Sequence, residues 1–111
     1  MVTPAQIASA YRKLALQMNE LNTTPALRIV AAGMTHSVQY GMAHDAAVPA
    51  LQIAGKTGTA SDPGHPWTHG WFAGVAGREI VVVIYLPRGN GADAARLAGR
   101  FLGEWRGQSA Q

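Results

Sequence analysis

The 111-residue sequence contains no cysteine and few charged residues, and both absences exclude classes of protein. Without cysteine the chain can form no disulfide framework, zinc ribbon or thiol nucleophile. Aspartate, glutamate, lysine and arginine together make up only 14% of it. Although the net charge is +3, seven of the nine basic residues are arginines spread singly from Arg12 to Arg106. No block of them forms the basic patch of a nucleic-acid-binding surface, so we expect no nucleic-acid partner.

Long hydrophobic runs are also missing from the sequence. The longest, from Ile80 to Leu86, is far shorter than the about 20 apolar residues that span a bilayer. The first residues lack the basic and apolar regions of a signal peptide. We therefore expect no membrane segment or targeting segment in this chain.

What the sequence does contain is typical of one small globular domain. Apolar residues make up 48% of it, enough for a modest core, and 13 glycines and 6 prolines predict many turns. A domain ordinarily takes about 100–200 residues, and neither an internal repeat nor a low-complexity linker divides the chain. We therefore expect residues 1–111 to form a single domain.

Two helices are predicted in the first half of the chain. Thr3, Pro4 and Gln6 have the spacing of a capping box with proline at the first helical position, and apolar residues recur behind them to about Asn22. Thr24-Pro25 predicts the start of the second helix, because a capping threonine is again followed by proline. The expected buried positions are Ile7, Tyr11, Leu14, Met18 and Leu21 in the first helix and Leu27, Val30, Met34, Val38 and Met42 in the second.

Three strands are predicted in the second half. They cover Leu51–Ala60, Trp71–Ala76 and Glu79–Leu86, and a two-residue turn, Gly77-Arg78, joins the last two. The third strand is apolar on both faces, so we expect it at the centre of an antiparallel sheet, with helices above and below.

A last helix is predicted over Ala92–Trp105, where Leu97, Phe101 and Trp105 return to helical spacing. The predicted fold class is therefore α+β, with a three-stranded antiparallel sheet flanked by about three helices. We expect the first and last helices on one face of the sheet and the second helix near the other.

Chemically useful groups are concentrated in one segment, Ala54-Gly55-Lys56-Thr57-Gly58-Thr59-Ala60. On a strand, Lys56 and Gly58 share one face and Thr57 and Thr59 the other. A glycine there lets a ligand backbone approach closely. The cation and the hydroxyls can hold a carboxylate, and an outward-facing amide can stabilise an oxyanion. This pattern favours a strand that binds an acyl substrate.

Two alternatives compete for the same segment. It is also compatible with an ordinary strand whose lysine extends into solvent. A phosphate loop is disfavoured, because position 50 is alanine where the G-x-x-x-x-G-K-[ST] pattern needs glycine. The residues after Gly58 also cannot open the helix whose N–H groups would face a phosphate.

The triplet K-T-G beside an aromatic-rich hairpin is one of three signatures of penicillin-binding proteins and serine β-lactamases. Three further segments resemble that family in its own order. Val2–Ala8 resembles its V-T-P-x-Q helix start, Gly33–Gly41 its G-M-x-x-V-V segment, and His69–Gly74 the strand that pairs with its A-G-K-T-G-T-A strand, here Ala54–Ala60. Over nearly its whole length the chain resembles the C-terminal part of a penicillin-binding-protein transpeptidase domain, with a β-lactamase/transpeptidase-like fold.

This resemblance implies roles for four residues. Lys56 would support the proton network around the nucleophile, and the hydroxyls of Thr57 and Thr59 would hold the terminal carboxylate of the substrate. The backbone N–H of Thr59 would supply half of the oxyanion hole, and Gly58 would keep that wall flat. The substrate would be a D-Ala-D-Ala peptidoglycan stem peptide or a β-lactam that mimics it, and the reaction acyl transfer through a serine ester, without metal or cofactor. The location implied is the extracytoplasmic, or periplasmic, side of a bacterial cell envelope.

The other two signatures of the family are missing. Neither Lys13 nor Lys56 has a serine three positions earlier, so there is no S-x-x-K. None of Asn19, Asn22 and Asn90 has a serine two positions earlier, so S-x-N is absent too. We therefore expect the chain to begin partway through the usual domain and to be inactive alone, because no nucleophile remains.

The missing segments also bear on partners. Sheet edges and apolar helix faces that they would cover invite association, so we expect a homo-oligomer or the missing N-terminal part of the domain as a partner. The alternative function is a non-catalytic module that binds peptidoglycan peptides or serves a structural or interaction role.

The remaining candidates carry less weight. His65 and His69 have H-x-x-x-H spacing, but their glycine and proline neighbours place them in a loop, so a metal site is disfavoured. Asp62 has no obvious partner in the sequence. Large aromatic residues beside valine-rich strands are more often core than ligand platform. We therefore expect all three tryptophans, Trp67, Trp71 and Trp105, to be core residues.

Overall fold

The structure, a computed structural model, describes residues 3–18, 24–41, 43–48, 51–77 and 80–109. In chain order its elements are α1 (Pro4–Met18), α2 (Pro25–Gln39), a short 3-10 helix (His44–Ala46), β1 (Ile53–Ser61), β2 (Thr68–Ala76), β3 (Ile80–Leu86) and α3 (Gly91–Ser109). The predicted α+β fold, an antiparallel three-stranded sheet with three α-helices, is confirmed. Within the described ranges, no helix is long and apolar enough to cross a bilayer.

Both predicted helix starts are confirmed by their caps. At α1, the Gln6 N–H donates to the Thr3 hydroxyl at 3.1 Å and the Thr3 N–H donates to the Gln6 side-chain oxygen at 2.9 Å. This reciprocal pair is a capping box, and it satisfies two N–H groups that the first helical turn leaves without partners. At α2, the Thr24 hydroxyl accepts from the Leu27 N–H at 3.2 Å.

Element ends differ from the prediction in several places. α2 ends at Gln39, and the 3-10 helix after it was not predicted. β2 begins at Thr68 rather than Trp71, because it pairs with β1 as far as Ser61. α3 begins one residue earlier than predicted and continues past Trp105. The predicted end of the first helix near Asn22, the buried positions Leu21 and Met42, and Arg78 of the predicted turn lie outside the described residues.

β2, and not β3, is the central strand. The strand order is β1-β2-β3, so the prediction that the third strand is central was wrong. β3 is nevertheless apolar on both faces for a structural reason, since α3 contacts it from one side and α1 from the other. An edge strand covered on both faces has the same apolar pattern as a central one.

α1 and α3 lie on opposite faces of the sheet, which corrects the prediction that they share one. Thr57 pairs with Phe72 and Lys56 with Ala73, so alternation places the first pair on one face and the second pair on the other. α3 packs on the face that carries Phe72, called the core face below. α1 lies over the opposite face, which carries Lys56, Gly58, Trp71 and Ala73 and is called the Lys56 face below.

The core lies between the core face and α3. Phe72 and Leu102 are its largest fully buried side chains. α3 approaches the sheet through alanines, which let the helix backbone come close, so Leu97 and Phe101 point away from the core and are exposed. Val30 of α2 is exposed as well, although helical spacing predicted it to be buried.

Candidate functional site

Lys56 stands in the middle of β1 and is exposed. Its Nζ donates a hydrogen bond to the Thr57 carbonyl oxygen at 3.0 Å. β1 is an edge strand that pairs, among the described strands, with β2 alone. A ligand backbone can therefore reach the side of β1 that has no strand partner, which is how extended peptides add to a sheet.

A cleft of about 310 Å³ lies between α1 and the Lys56 face. It is lined by Ile7, Tyr11, Lys56, Thr57, Gly58, Trp71 and Ala73. Gly58 makes room for the Trp71 indole, since a Cβ there would lie 3.2 Å from the indole Nε1. The cleft is thus mainly apolar, with the Lys56 cation as its one charged side chain among these residues.

Tyr11 is a site residue that the sequence did not reveal. Tyr11 lines the cleft, and burial raises the pKa of its phenol above its ordinary value, which reinforces the neutral form that a phenol has at neutral pH. Its helical spacing predicted a buried position of α1, and that spacing is the same whether the ring fills a core or lines a cleft. No signal in the sequence distinguishes the two cases.

The two threonines lie on the core face, as alternation predicted. Thr57 is buried, and a Cβ placed on Gly91 would come within 2.8 Å of the Thr57 Cβ. The Thr59 hydroxyl accepts a hydrogen bond from the Gly91 N–H at 2.8 Å. Lys56 and Gly58 face the cleft, and Thr57 belongs to its lining although alternation places its side chain on the core face. The Thr59 oxygen is held by the first residue of α3.

A second cluster lies where β1 turns into β2. The Asp62 Oδ2 lies 3.0 Å from His65 Nδ1 and 3.2 Å from His69 Nε2, and the Asp62 Oδ1 accepts from the Gly64 N–H at 3.0 Å. The prediction that Asp62 has no partner was wrong, because the turn after β1 places Gly64 and His65 against it and the start of β2 adds His69. Within the described ranges, no three histidine or carboxylate side chains are arranged to hold a metal ion.

Of the three tryptophans, Trp105 packs against the core, whereas the other two lie outside it. Trp71 lines the cleft. Trp67 is half-buried between two other side chains, since the His65 ring stacks on it at 4.0 Å and the Arg88 guanidinium lies 3.7 Å from its ring centroid. The prediction of a core position is therefore correct for Trp105 and wrong for Trp67 and Trp71.

The contacts of Asp62 predict a dependence of stability on pH. The Gly64 N–H, followed by the two imidazoles, lowers the pKa of Asp62 below its ordinary value. A lowered folded-state pKa stabilises the fold at pH values above the unfolded pKa, about 3.9, and that contribution is lost as the pH falls through the folded pKa. We expect Asp62→Asn to remove the contribution of this group to the loss of stability in acid.

Urea unfolding at a series of pH values measures the effect. The expected result is a shallower fall of the free energy of unfolding below about pH 4 for Asp62→Asn than for the unchanged chain. Parallel curves for the two proteins would show that Asp62 titrates alike in the folded and unfolded states.

Comparison with known proteins gives a family and a structural neighbour. The model of the penicillin binding protein transpeptidase domain matches residues 1–104. Among solved structures, the chain is similar to the D,D-transpeptidase domain of a peptidoglycan glycosyltransferase from Eggerthella lenta, with 29% identity and a TM-score of 0.59. That similarity covers 73% of this chain and 20% of the other, so this chain spans about one fifth of that structure. No curated protein matches the chain.

Proposed function

This chain belongs to the penicillin binding protein transpeptidase domain family, and on that premise we propose that β1 is the K-T-G strand of a transpeptidase-type site. The ligand would be a D-Ala-D-Ala stem peptide of peptidoglycan or a β-lactam that mimics it, held by Lys56, Thr57, Gly58 and Thr59. The observation that carries the proposal is the position of Lys56, on an edge strand and at the lining of an apolar cleft. The compartment that goes with this substrate is the extracytoplasmic side of a bacterial envelope.

Lys56, which would also support the proton network of a complete site, is the cation proposed to bind the terminal carboxylate together with the threonine hydroxyls of β1. Its Nζ now donates to the neutral carbonyl oxygen of Thr57. A carboxylate is the stronger acceptor, because a hydrogen bond between two charged groups is roughly twice as strong as one between neutral groups. The methyl groups of the ligand would then face the apolar lining formed by Trp71 and Ala73.

Thr59 is the second proposed contact for the carboxylate. Its side chain lies on the opposite face of β1 from Lys56, so the carboxylate would have to lie at the edge of β1 that has no strand partner, between the two faces. The Thr59 oxygen accepts from the Gly91 N–H, which fixes the hydroxyl in place. A hydroxyl both accepts and donates, so its own proton is left to donate to the ligand. Thr57, packed against Gly91, would hold this end of β1 in position.

The chain alone is proposed to bind without turnover. A transpeptidase works through a serine ester, and neither S-x-x-K nor S-x-N occurs in these 111 residues. The nucleophile would therefore come from other residues, either of the same polypeptide or of a partner. α1 offers a surface on which such a partner would pack, since every described side chain from Pro4 to Gln17 is at least partly exposed.

Calorimetric titration with two matched peptides tests the proposal. One is an N-acylated D-Ala-D-Ala peptide, and the other is the same peptide with a C-terminal amide. A hydrogen bond to a charged group contributes about 1.5–3 kcal/mol, so the amide should bind about 10- to 100-fold more weakly, at about 1.4 kcal/mol per factor of ten. No product should form from either peptide. Equal affinities would contradict the role of the carboxylate, and no binding of either would favour a structural module instead.

A further inference from the structure

We propose that Tyr85 is a reactive hydroxyl that accepts acyl groups from small activated esters, with His69 as its base and Asp62 as the group that orients the base. These three residues lie at the end of the sheet where β1 turns into β2. None of them lines the cleft, although Tyr85 pairs across the sheet with Trp71, which does. The proposal does not depend on Lys56 or on the function proposed above.

The geometry is a continuous chain of three side chains. The Tyr85 hydroxyl lies 3.0 Å from His69 Nδ1, and His69 Nε2 lies 3.2 Å from Asp62 Oδ2. One neutral tautomer satisfies both contacts: the Nε2–H donates to the carboxylate, and Nδ1 accepts the phenolic proton. A nucleophile, a base and a carboxylate that orients the base are the parts of a catalytic triad, with a phenol here in place of serine.

Asp62 can orient the base because its side chain is an ionised carboxylate. The Gly64 N–H donates to one of its oxygens, and His65 and His69 share the other. These contacts lower the pKa of Asp62, so the group remains a carboxylate that can hold the His69 ring in position. Among the described residues, the titratable side chains within hydrogen-bond distance of His69 are Asp62 and Tyr85, and His65 shares the Asp62 oxygen with it.

Tyr85 is also accessible. Its side chain is 47% exposed, so a small acyl donor can approach the oxygen from solvent. Its ring and that of His69 are tilted by only 13°, with centroids 6.0 Å apart. Neither residue has to move for the proton to pass from the hydroxyl to Nδ1.

The reaction transfers one acyl group to the phenol. The Tyr85 oxygen attacks the carbonyl carbon of the ester while its proton passes to His69 Nδ1. The new C–O bond forms, and the bond from the carbonyl carbon to the leaving alcohol breaks with its electron pair. The leaving oxygen takes the proton from the imidazolium, so the products are a tyrosyl ester and a free alcohol.

Labelling with p-nitrophenyl acetate tests the proposal within a single molecule. Tyr40 is the internal control, because it is 82% exposed and its ring lies 6.0 Å from that of His36. Trypsin places the two tyrosines on different peptides, so mass spectrometry can follow both acetylation rates. General-base catalysis contributes about 10²- to 10⁴-fold, and we expect Tyr85 to react at least about tenfold faster than Tyr40 despite its lower exposure.

Two variants test the separate roles of His69 and Asp62 in the acetylation of Tyr85. His69→Gln should reduce the Tyr85 rate to that of Tyr40, and Asp62→Asn should reduce it partly, while Tyr40 is unchanged in both. A Tyr40 rate equal to or above that of Tyr85 in the unchanged chain overturns the proposal, whether or not the variants fold.

Discussion

Replacing Phe72 with alanine is expected to lower the free energy of unfolding by about 3–5 kcal/mol, the usual cost of emptying a buried aromatic position. Phe72 is fully buried at the centre of the core face. Its ring fills space that two glycines leave open, since a Cβ at Gly55 or Gly74 would lie 2.6 or 2.7 Å from it. Those glycines have no side chains that could move into the void, so the cavity should persist and the cost should fall in the upper part of the range.

The second phenylalanine of the chain provides the matched control for this prediction. Phe101 lies on α3 and is 45% exposed, so Phe101→Ala removes the same ring from a site that is already largely solvated. Urea unfolding of both variants gives the comparison, and we expect Phe101→Ala to cost about 1 kcal/mol or less. Equal losses for the two variants would show that the core does not lie between β2 and α3.

Replacing Lys56 with alanine is expected to weaken binding of the D-Ala-D-Ala peptide about 10- to 100-fold. Among the residues that line the cleft, Lys56 carries the one side-chain cation, so its removal leaves the ligand carboxylate without an opposite charge there. The loss of a hydrogen bond between charged groups costs about 1.5–3 kcal/mol, which corresponds to about 10- to 100-fold in affinity. Stability should change little, because the Lys56 side chain is exposed.

Lys13 is the matched control, since it is the other lysine of the chain. It is exposed on α1 and does not belong to the cleft lining. Lys13→Ala therefore changes the net charge by the same amount while leaving the cleft intact. Equal losses of affinity in the two variants would point to a general effect of charge, and unchanged affinity in Lys56→Ala would refute the site.

The local structure of this protein was predictable because its signals lie close together in the sequence. The Thr3 and Thr24 caps and the antiparallel strands followed from spacing alone, and the structure contains all of them. What spacing could not give was the arrangement of elements on the sheet. Helices on opposite faces of β3 give that edge strand a doubly apolar pattern, and α3 buries alanines rather than Leu97 and Phe101 because close approach favours small residues.

The candidate site, too, was predictable only where its signal is local. Alternation correctly placed Lys56 and Gly58 on one face of β1. Tyr11 reaches the cleft from a helix distant in sequence, and the Asp62 cluster depends on how the hairpin brings its strands together. Contacts of this kind need the tertiary structure, because neither partner carries a local signal of the other.

The central claim, that β1 is a ligand-binding strand, is tested most directly by mapping backbone amide shifts during titration with the D-Ala-D-Ala peptide. We expect the largest shifts at Lys56–Ala60, with smaller ones at Trp71 and Tyr11 across the cleft. The matched peptide with a C-terminal amide should produce much weaker shifts at the same positions. Shifts centred elsewhere on the chain, with Lys56–Ala60 unchanged at saturation, would contradict the account.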